Sequence, residues 1–216
     1  MLLVTQIFFF FFLFVHPSSK TLLAKNKAVK LSPQNVKKIS QVKVSSFFVE
    51  TAESQAQFLA KITMSQFEGV TKNLKGVLLL DEEKKMIKKL KVIFPVLSIK
   101  TGLSLRDKHM RKKKYLYAKK YKTISFRISK PQRYYLNKSF QVKGVWNIRG
   151  VELESSDTII EVDNLTFIKK NKLKGFRVRS HFQMDITKFG IKQPKYMVVK
   201  MEPVVDLKLQ IQFNKK

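Results

Sequence analysis

No cysteine occurs anywhere in the 216 residues. That excludes a disulfide framework, a thiolate metal site and an N-terminal lipid-anchoring cysteine. Three histidines, at 16, 109 and 181, are too few and too scattered for a three-histidine metal centre. The chain has no serine or cysteine elbow, no phosphate loop and no His-Glu-x-x-His pair, so the common hydrolytic and phosphoryl-transfer chemistries lack their residues. His109 lies two positions from Asp107, but i and i+2 on a helix point to different faces and form no base–orienter pair. The expectation is a protein that is not an enzyme and uses no cofactor. Acidic residues are also scarce: 15, against 44 basic ones, leave a net charge of +29.

Seven of the basic residues are arginines and the rest are lysines. Lysine is a solvated point charge, whereas arginine is preferred for bidentate phosphate recognition. The excess sets up a strong positive field with the lysines spread over turns and polar strand faces. Arg133-Tyr134-Tyr135 is the only aromatic–basic cluster of note, so no specific nucleic-acid partner is expected. An anionic membrane surface or another anionic polymer fits such an exterior better.

The long apolar run Ile7–Val15 is shorter than the ~20 residues needed to cross a bilayer. It has the length of a signal-peptide core, followed by the polar His16-Pro-Ser-Ser19. Residues 1–19 are therefore read as a signal peptide with cleavage as late as about 24, residues 20–42 as a flexible basic leader, and 43–216 as the folded domain. The mature protein is expected in the periplasm or secreted.

From Val42 onward apolar and polar residues alternate as in half-buried strands. Phe58, Ala60, Ile62 and Met64 share one side of an early strand. Phe67-Glu-Gly69 and Lys75-Gly76 bracket a turn before Val77–Leu80. Leu90, Val92 and Phe94 face inward from a strand over 87–97, where Pro95 predicts an edge or a bulge. Phe126 and Ile128, then Trp146 and Ile148, continue the inward set. A strand over 157–168 and a hairpin turn at 169–172 lead to the longest alternation, from Phe176 through Phe182 and Met184 to Ile186. The last strand sets Val205, Leu207, Leu209, Ile211 and Phe213 against Asp206, Lys208, Gln210 and Gln212. About eight strands with short turns predict an all-β sandwich or up-and-down barrel.

One stretch interrupts the strands, Thr101 to Leu116. Gly102 permits a positive φ, and Ser104 precedes Asp107 by the three residues of a capping box. Asp107 in turn precedes Arg111 by four, the favourable ion-pair orientation. A short helix over about 105–116 is predicted, covering the strands as a lid. Arg106 and Met110 share a helix face, with His109 beside them.

The run Thr101-Gly-Leu-Ser-Leu-Arg-Asp-Lys-His-Met-Arg111, then Tyr115-Leu116 and Lys120-Tyr121-x-Thr-Ile-Ser-Phe126, resembles the YceI-like family of bacterial envelope proteins. Phe67-x-Gly69 with Gly76, Val145-Trp-Asn-Ile-Arg-Gly-Val151, and Phe182-x-Met-x-Ile186 followed by Phe189-Gly-Ile191 and Pro194 are similar to further family patterns in the same order. The chain departs at Lys122, where the family usually has proline, and at Lys112–Lys114, where an acidic residue is common. The resemblance implies an eight-stranded antiparallel lipocalin-like barrel over 43–216, capped by the helix at about 105–116. It also implies a polyisoprenoid ligand.

The expectation is then a non-enzymatic exported carrier for a polyisoprenoid or similar long-chain lipid, such as a polyprenyl or isoprenoid quinone. Arg106, His109 and Met110 on the lid are expected to meet the polar end, with Leu116 as a further ligand contact. Phe126, Ile128, Trp146, Ile148, Phe182, Met184 and Phe189 are expected to line the apolar interior. The alternative is a basic envelope protein that binds anionic polymers or the membrane surface through its lysines.

Overall fold

The computed structural model describes residues 43–165, 175–196 and 198–215. The signal peptide, the leader and the turn expected at 169–172 lie outside the described residues. The described residues form twelve strands: β1 (Val44–Val49), β2 (Gln55–Ile62), β3 (Ser65–Thr71), β4 (Lys75–Asp81), β5 (Met86–Pro95), β6 (Thr123–Ile128), β7 (Gln132–Arg133), β8 (Ser139–Ile148), β9 (Val151–Leu165), β10 (Gly175–Asp185), β11 (Lys195–Tyr196) and β12 (Val199–Lys215). A single α-helix among the described residues, α1 (Ser104–Met110), follows β5. It is not long and apolar enough to cross a membrane.

The strands form one antiparallel sheet in the order β1-β4-β5-β6-β8-β9-β10-β12-β2-β3, with β7 paired to β5 and β11 to β12. β1 is bonded on both edges, to β4 and to the C-terminal end of β12, where Phe47 pairs with Lys215 and Val49 with Phe213. β12 is long enough to serve two neighbours in succession on one edge. Its first half pairs with β2 from Met201↔Ile62 to Gln210↔Gln55, and its last residues pair with β1. The register slips between Met201 and Val205, where Pro203 has no N–H for the ladder.

Alternation holds along most of this frame. Phe176, Val178 and Ser180 of β10 are buried while Arg179 and His181 are exposed. Phe47, Phe176 and Phe213 fill one end of the interior, the first two in an edge-to-face contact at 4.9 Å. Burying each such side chain stabilises the fold by roughly 1.5–3 kcal/mol.

Phe67 and Gly69 lie in β3, paired with Ala60 and Phe58, and Lys75 opens β4, so the turn they were expected to bracket falls at 72–74. The structure corrects three local readings. Pro95 is neither at an edge nor in a bulge: it ends β5 opposite Thr123 and leads into a 3-10 turn at Val96–Ser98, so its missing N–H falls where the strand stops. Gln212, expected outside, is buried: its backbone N–H donates to the buried Ser54 hydroxyl at 3.0 Å and its amide oxygen accepts from Arg177 at 3.4 Å. The lid helix is shorter than expected, ending at Met110 and continuing as turns to Leu116.

The capping box does not form. Leu103 is the N-cap, with extended backbone and no side-chain bond, and Gly102 takes φ 77°. Asp107 instead points inward and is 6% exposed. Its Oδ1 accepts from the Thr101 backbone N–H at 2.8 Å and the Thr101 hydroxyl at 2.7 Å. Arg111 stands 3.9 Å from Oδ2 and donates to the carbonyls of Leu97 and Ile99 at 3.1 and 3.2 Å. Burial works to raise the Asp107 pKa, but the Thr101 hydroxyl and N–H, then the charges of Arg111 and Lys100, hold it below the ordinary aspartate value.

Asp107→Ala should therefore lower stability by about 1–3 kcal/mol in urea denaturation, since it strands the Thr101 N–H and Arg111. Ser104→Ala should change it by less than about 0.5 kcal/mol. Equal losses would restore the capping box. Because the folded carboxyl is the stronger acid, its contribution is complete above the unfolded pKa and is lost as pH falls through the folded one. The gap between wild type and Asp107→Ala should close on acidification over that range.

Candidate ligand cavity

The knot at Asp107 holds α1 and the turns after it over one end of the sheet. Arg106 adds a second tie: Nε and Nη2 donate to the Thr101 hydroxyl and carbonyl at 3.1 and 3.3 Å, and the guanidinium lies 4.2 Å from the centre of the Phe67 ring on β3. Backbone bonds in both directions between Val70 and Lys100, at 2.8 and 2.9 Å, and a 2.7 Å Thr71–Ser98 hydroxyl contact join the root of the lid to β3.

Beneath this roof lies a cavity of about 660 Å³, within the range of small-molecule sites. Phe58 and Ile62 of β2, Met184 of β10, and Met201, Val205, Leu207 and Leu209 of β12 form much of its wall. The charged or basic lining residues are Arg106, His109, Lys112 and Lys114, all on the roof. Among the described residues no acidic side chain lines it.

The floor is aromatic. Trp146 stacks on Phe94 at 5.9 Å between ring centres and packs against Phe126 at 4.9 Å and Phe182 at 5.5 Å. Below this layer a second void of about 20 Å³, lined by Val178, Ile211 and Phe213 among others, has room for about one water. The change follows the register of β12: residues to Leu209 border the large cavity, whereas Ile211 and Phe213 border the small void. The Trp146 indole N–H is buried without an acceptor among the described residues. Gly144 makes the layer possible, because a Cβ there would strike the Phe126 ring and come within 2.8 Å of the Arg127 carbonyl.

Of the residues expected from sequence, Arg106, His109, Met110, Leu116, Trp146, Ile148 and Met184 line the cavity. Phe126 borders the small void instead. Phe182 is half-buried and packs on Trp146. Ile128 and Phe189 are buried in the hydrophobic core and do not border the cavity. The β2, β3 and start-of-β12 residues of the wall were not anticipated as ligand contacts. Their alternation was visible, but the β2–β12 and β2–β3 pairings that bring them together were not. Among the described residues no three His, Cys, Asp or Glu side chains gather as metal ligands.

A β-sheet protein with one helix-roofed apolar cavity is the class that this geometry defines. A family model for the YceI-like domain matches residues 47–213, and the chain belongs to that family. Solved structures share the fold at low identity. Burkholderia cenocepacia BcnA is 17% identical with a TM-score of 0.60, covering 76% of this chain and 98% of its own. A polyisoprenoid-binding domain from Saccharophagus degradans, implicated in plant cell wall breakdown, is 12% identical with a TM-score of 0.61, covering 81% and 100%. The Campylobacter jejuni YceI protein is 20% identical with a TM-score of 0.60, covering 71% and 88%. No curated protein matches the sequence.

Gly144→Ala should cost about 1–3 kcal/mol through overpacking and shift Trp146 emission by displacing Phe126. Unchanged stability and emission would show that the floor can give way.

Proposed function

We propose that the protein is a non-enzymatic carrier that holds a polyisoprenoid or similar long-chain amphiphile in the cavity, with its polar end at the roof. The observation that carries this reading is a cavity of about 660 Å³ with apolar walls and its basic groups confined to one end. At about 30 Å³ per carbon-sized group, the share of one water in the liquid, it holds on the order of twenty carbons. Each buried methylene contributes about 0.8 kcal/mol, and association costs on the order of 4–15 kcal/mol. A chain of that length therefore exceeds the cost, while a few carbons do not. The polyisoprenoid-binding domain of Saccharophagus degradans has the same fold, which supports the ligand class. The β1–β12 pairing supports an eight-stranded barrel wall, with β2 and β3 as an inserted hairpin. Arg106 is the brace of the mouth; His109, Lys112 and Lys114 are the exposed basic groups available to a polar head. The apolar run at Ile7–Val15 supports export to the periplasm or exterior.

The test is a titration of delipidated protein with prenyl lipids of increasing length, read by the single tryptophan, Trp146. Affinity should rise with each isoprene unit and level off near about twenty carbons, where the aromatic floor stops the tail. Absence of uptake across the series overturns the carrier reading.

The unsatisfied Trp146 N–H favours a second orientation, in which a quinone ring enters first and its carbonyl accepts at the floor. Trp146→Phe should then weaken an isoprenoid quinone by about tenfold, the equivalent of one hydrogen bond, and leave a polyprenyl alcohol unchanged in isothermal titration. Equal effects on both ligands reject that orientation.

A further inference from the structure

We propose that the cavity mouth is a membrane-docking face that seats on anionic lipid headgroups, so that the guest passes between bilayer and cavity without crossing water. This rests on the lipid-binding reading above.

Two turns stand side by side at the mouth. Lys200 N donates to the Thr63 hydroxyl at 2.8 Å and Thr63 N donates to the Lys200 carbonyl at 3.0 Å, which ties the β2–β3 turn to the start of β12. Their tips present Met64 and Val198, 93% and 87% exposed. On the roof, Leu103 and Leu105 are 53% and 61% exposed while also lining the cavity. Single exposed apolar residues are ordinary, but four large ones around one opening mark an interaction surface.

The charge around them is predominantly positive, with Glu202 the exposed acid beside Met201. From Lys100 to Lys122 there are eight lysines and two arginines against one acid, Asp107, which is buried and committed to Thr101 and Arg111. From Gly190 to Lys200 there are three lysines and no acid. At the opposite end of the sheet, the turn after β4 mixes Glu82 and Glu83 with Lys84 and Lys85. Lysines near an anionic bilayer each strengthen binding by about fivefold. Aliphatic side chains that enter the interface add to this, and they have no role against a phosphodiester backbone. The combination therefore selects a bilayer over a nucleic acid.

The experiment is flotation of the full-length mature protein with phosphatidylcholine vesicles, with and without phosphatidylglycerol. Three variants are compared: Met64→Ser with Val198→Ser; Lys108→Gln with Lys113→Gln and Lys200→Gln; and, as a distant control, Lys84→Gln with Lys130→Gln and Lys138→Gln. None of these positions lines the cavity. Wild type should bind only the anionic vesicles. The aliphatic pair should lose about tenfold, the mouth lysines on the order of a hundredfold, and the control little. All should keep the wild-type affinity for farnesol in solution, read from Trp146 emission. If wild type fails to bind farnesol, the carrier reading fails while the flotation still reports on docking. Equal losses from the two lysine variants overturn the proposal, as does vesicle binding indifferent to Met64 and Val198. Displacement by random duplex DNA with no aliphatic contribution assigns the face to nucleic acid and also overturns it.

Discussion

The buried carboxylate of Asp107 is the interaction on which the cavity depends. One oxygen takes both donors of Thr101 and the other faces Arg111, which in turn reaches the carbonyls of Leu97 and Ile99. A seven-residue helix has little stability of its own, so these bonds, rather than helix propensity, hold it in place. With the roof fixed by polar bonds at its root, its apolar side chains can face a space instead of filling it. A roof held by hydrophobic packing alone would tend to sink into the cavity beneath it.

The aromatic layer at Trp146 sets the depth of that space. Phe94 of β5, Phe126 of β6 and Phe182 of β10 approach Trp146, and Gly144 leaves room for the Phe126 ring to lie against β8. On one side of the layer the interior is closed by Phe47, Phe176 and Phe213; on the other it is open. Stability and ligand capacity are thus placed at opposite ends of the same sheet. A fully packed interior would leave no room for a guest, whereas a hollow one would forfeit the contacts that hold a sheet of this length together.

Charge follows the same division. The roof and the turns beside it carry lysines with almost no acid, and the one acid of the roof is consumed in its own anchoring. The positive field is therefore concentrated at the entrance, and the apolar walls behind it screen it little. An amphiphile with an anionic or strongly polar head meets an attractive potential at the mouth and an apolar interior beyond.

The sequence by itself determined the strand faces, the position of the lid, the positive φ at Gly102, the Asp107–Arg111 pair and the family. These depend on residues close in the chain, where alternation and three- or four-residue spacing carry the physical information. Seven of the eleven expected contact residues line the cavity for the same reason: inward-facing is a local property. Which inward residues border a guest and which are simply core was decided by tertiary structure. Ile128 alternates as Ile148 and Met184 do, and Phe189 follows in a 3-10 turn, yet both lie in the packed core and not on the cavity wall. The long split edge of β12, which brings β2 and its phenylalanine to the cavity wall, has no local signal. The inward turn of Asp107 is equally unreadable, because a carboxylate at capping-box spacing can bond the helix end or the loop behind it. Only the fold places the Thr101 donors within its reach.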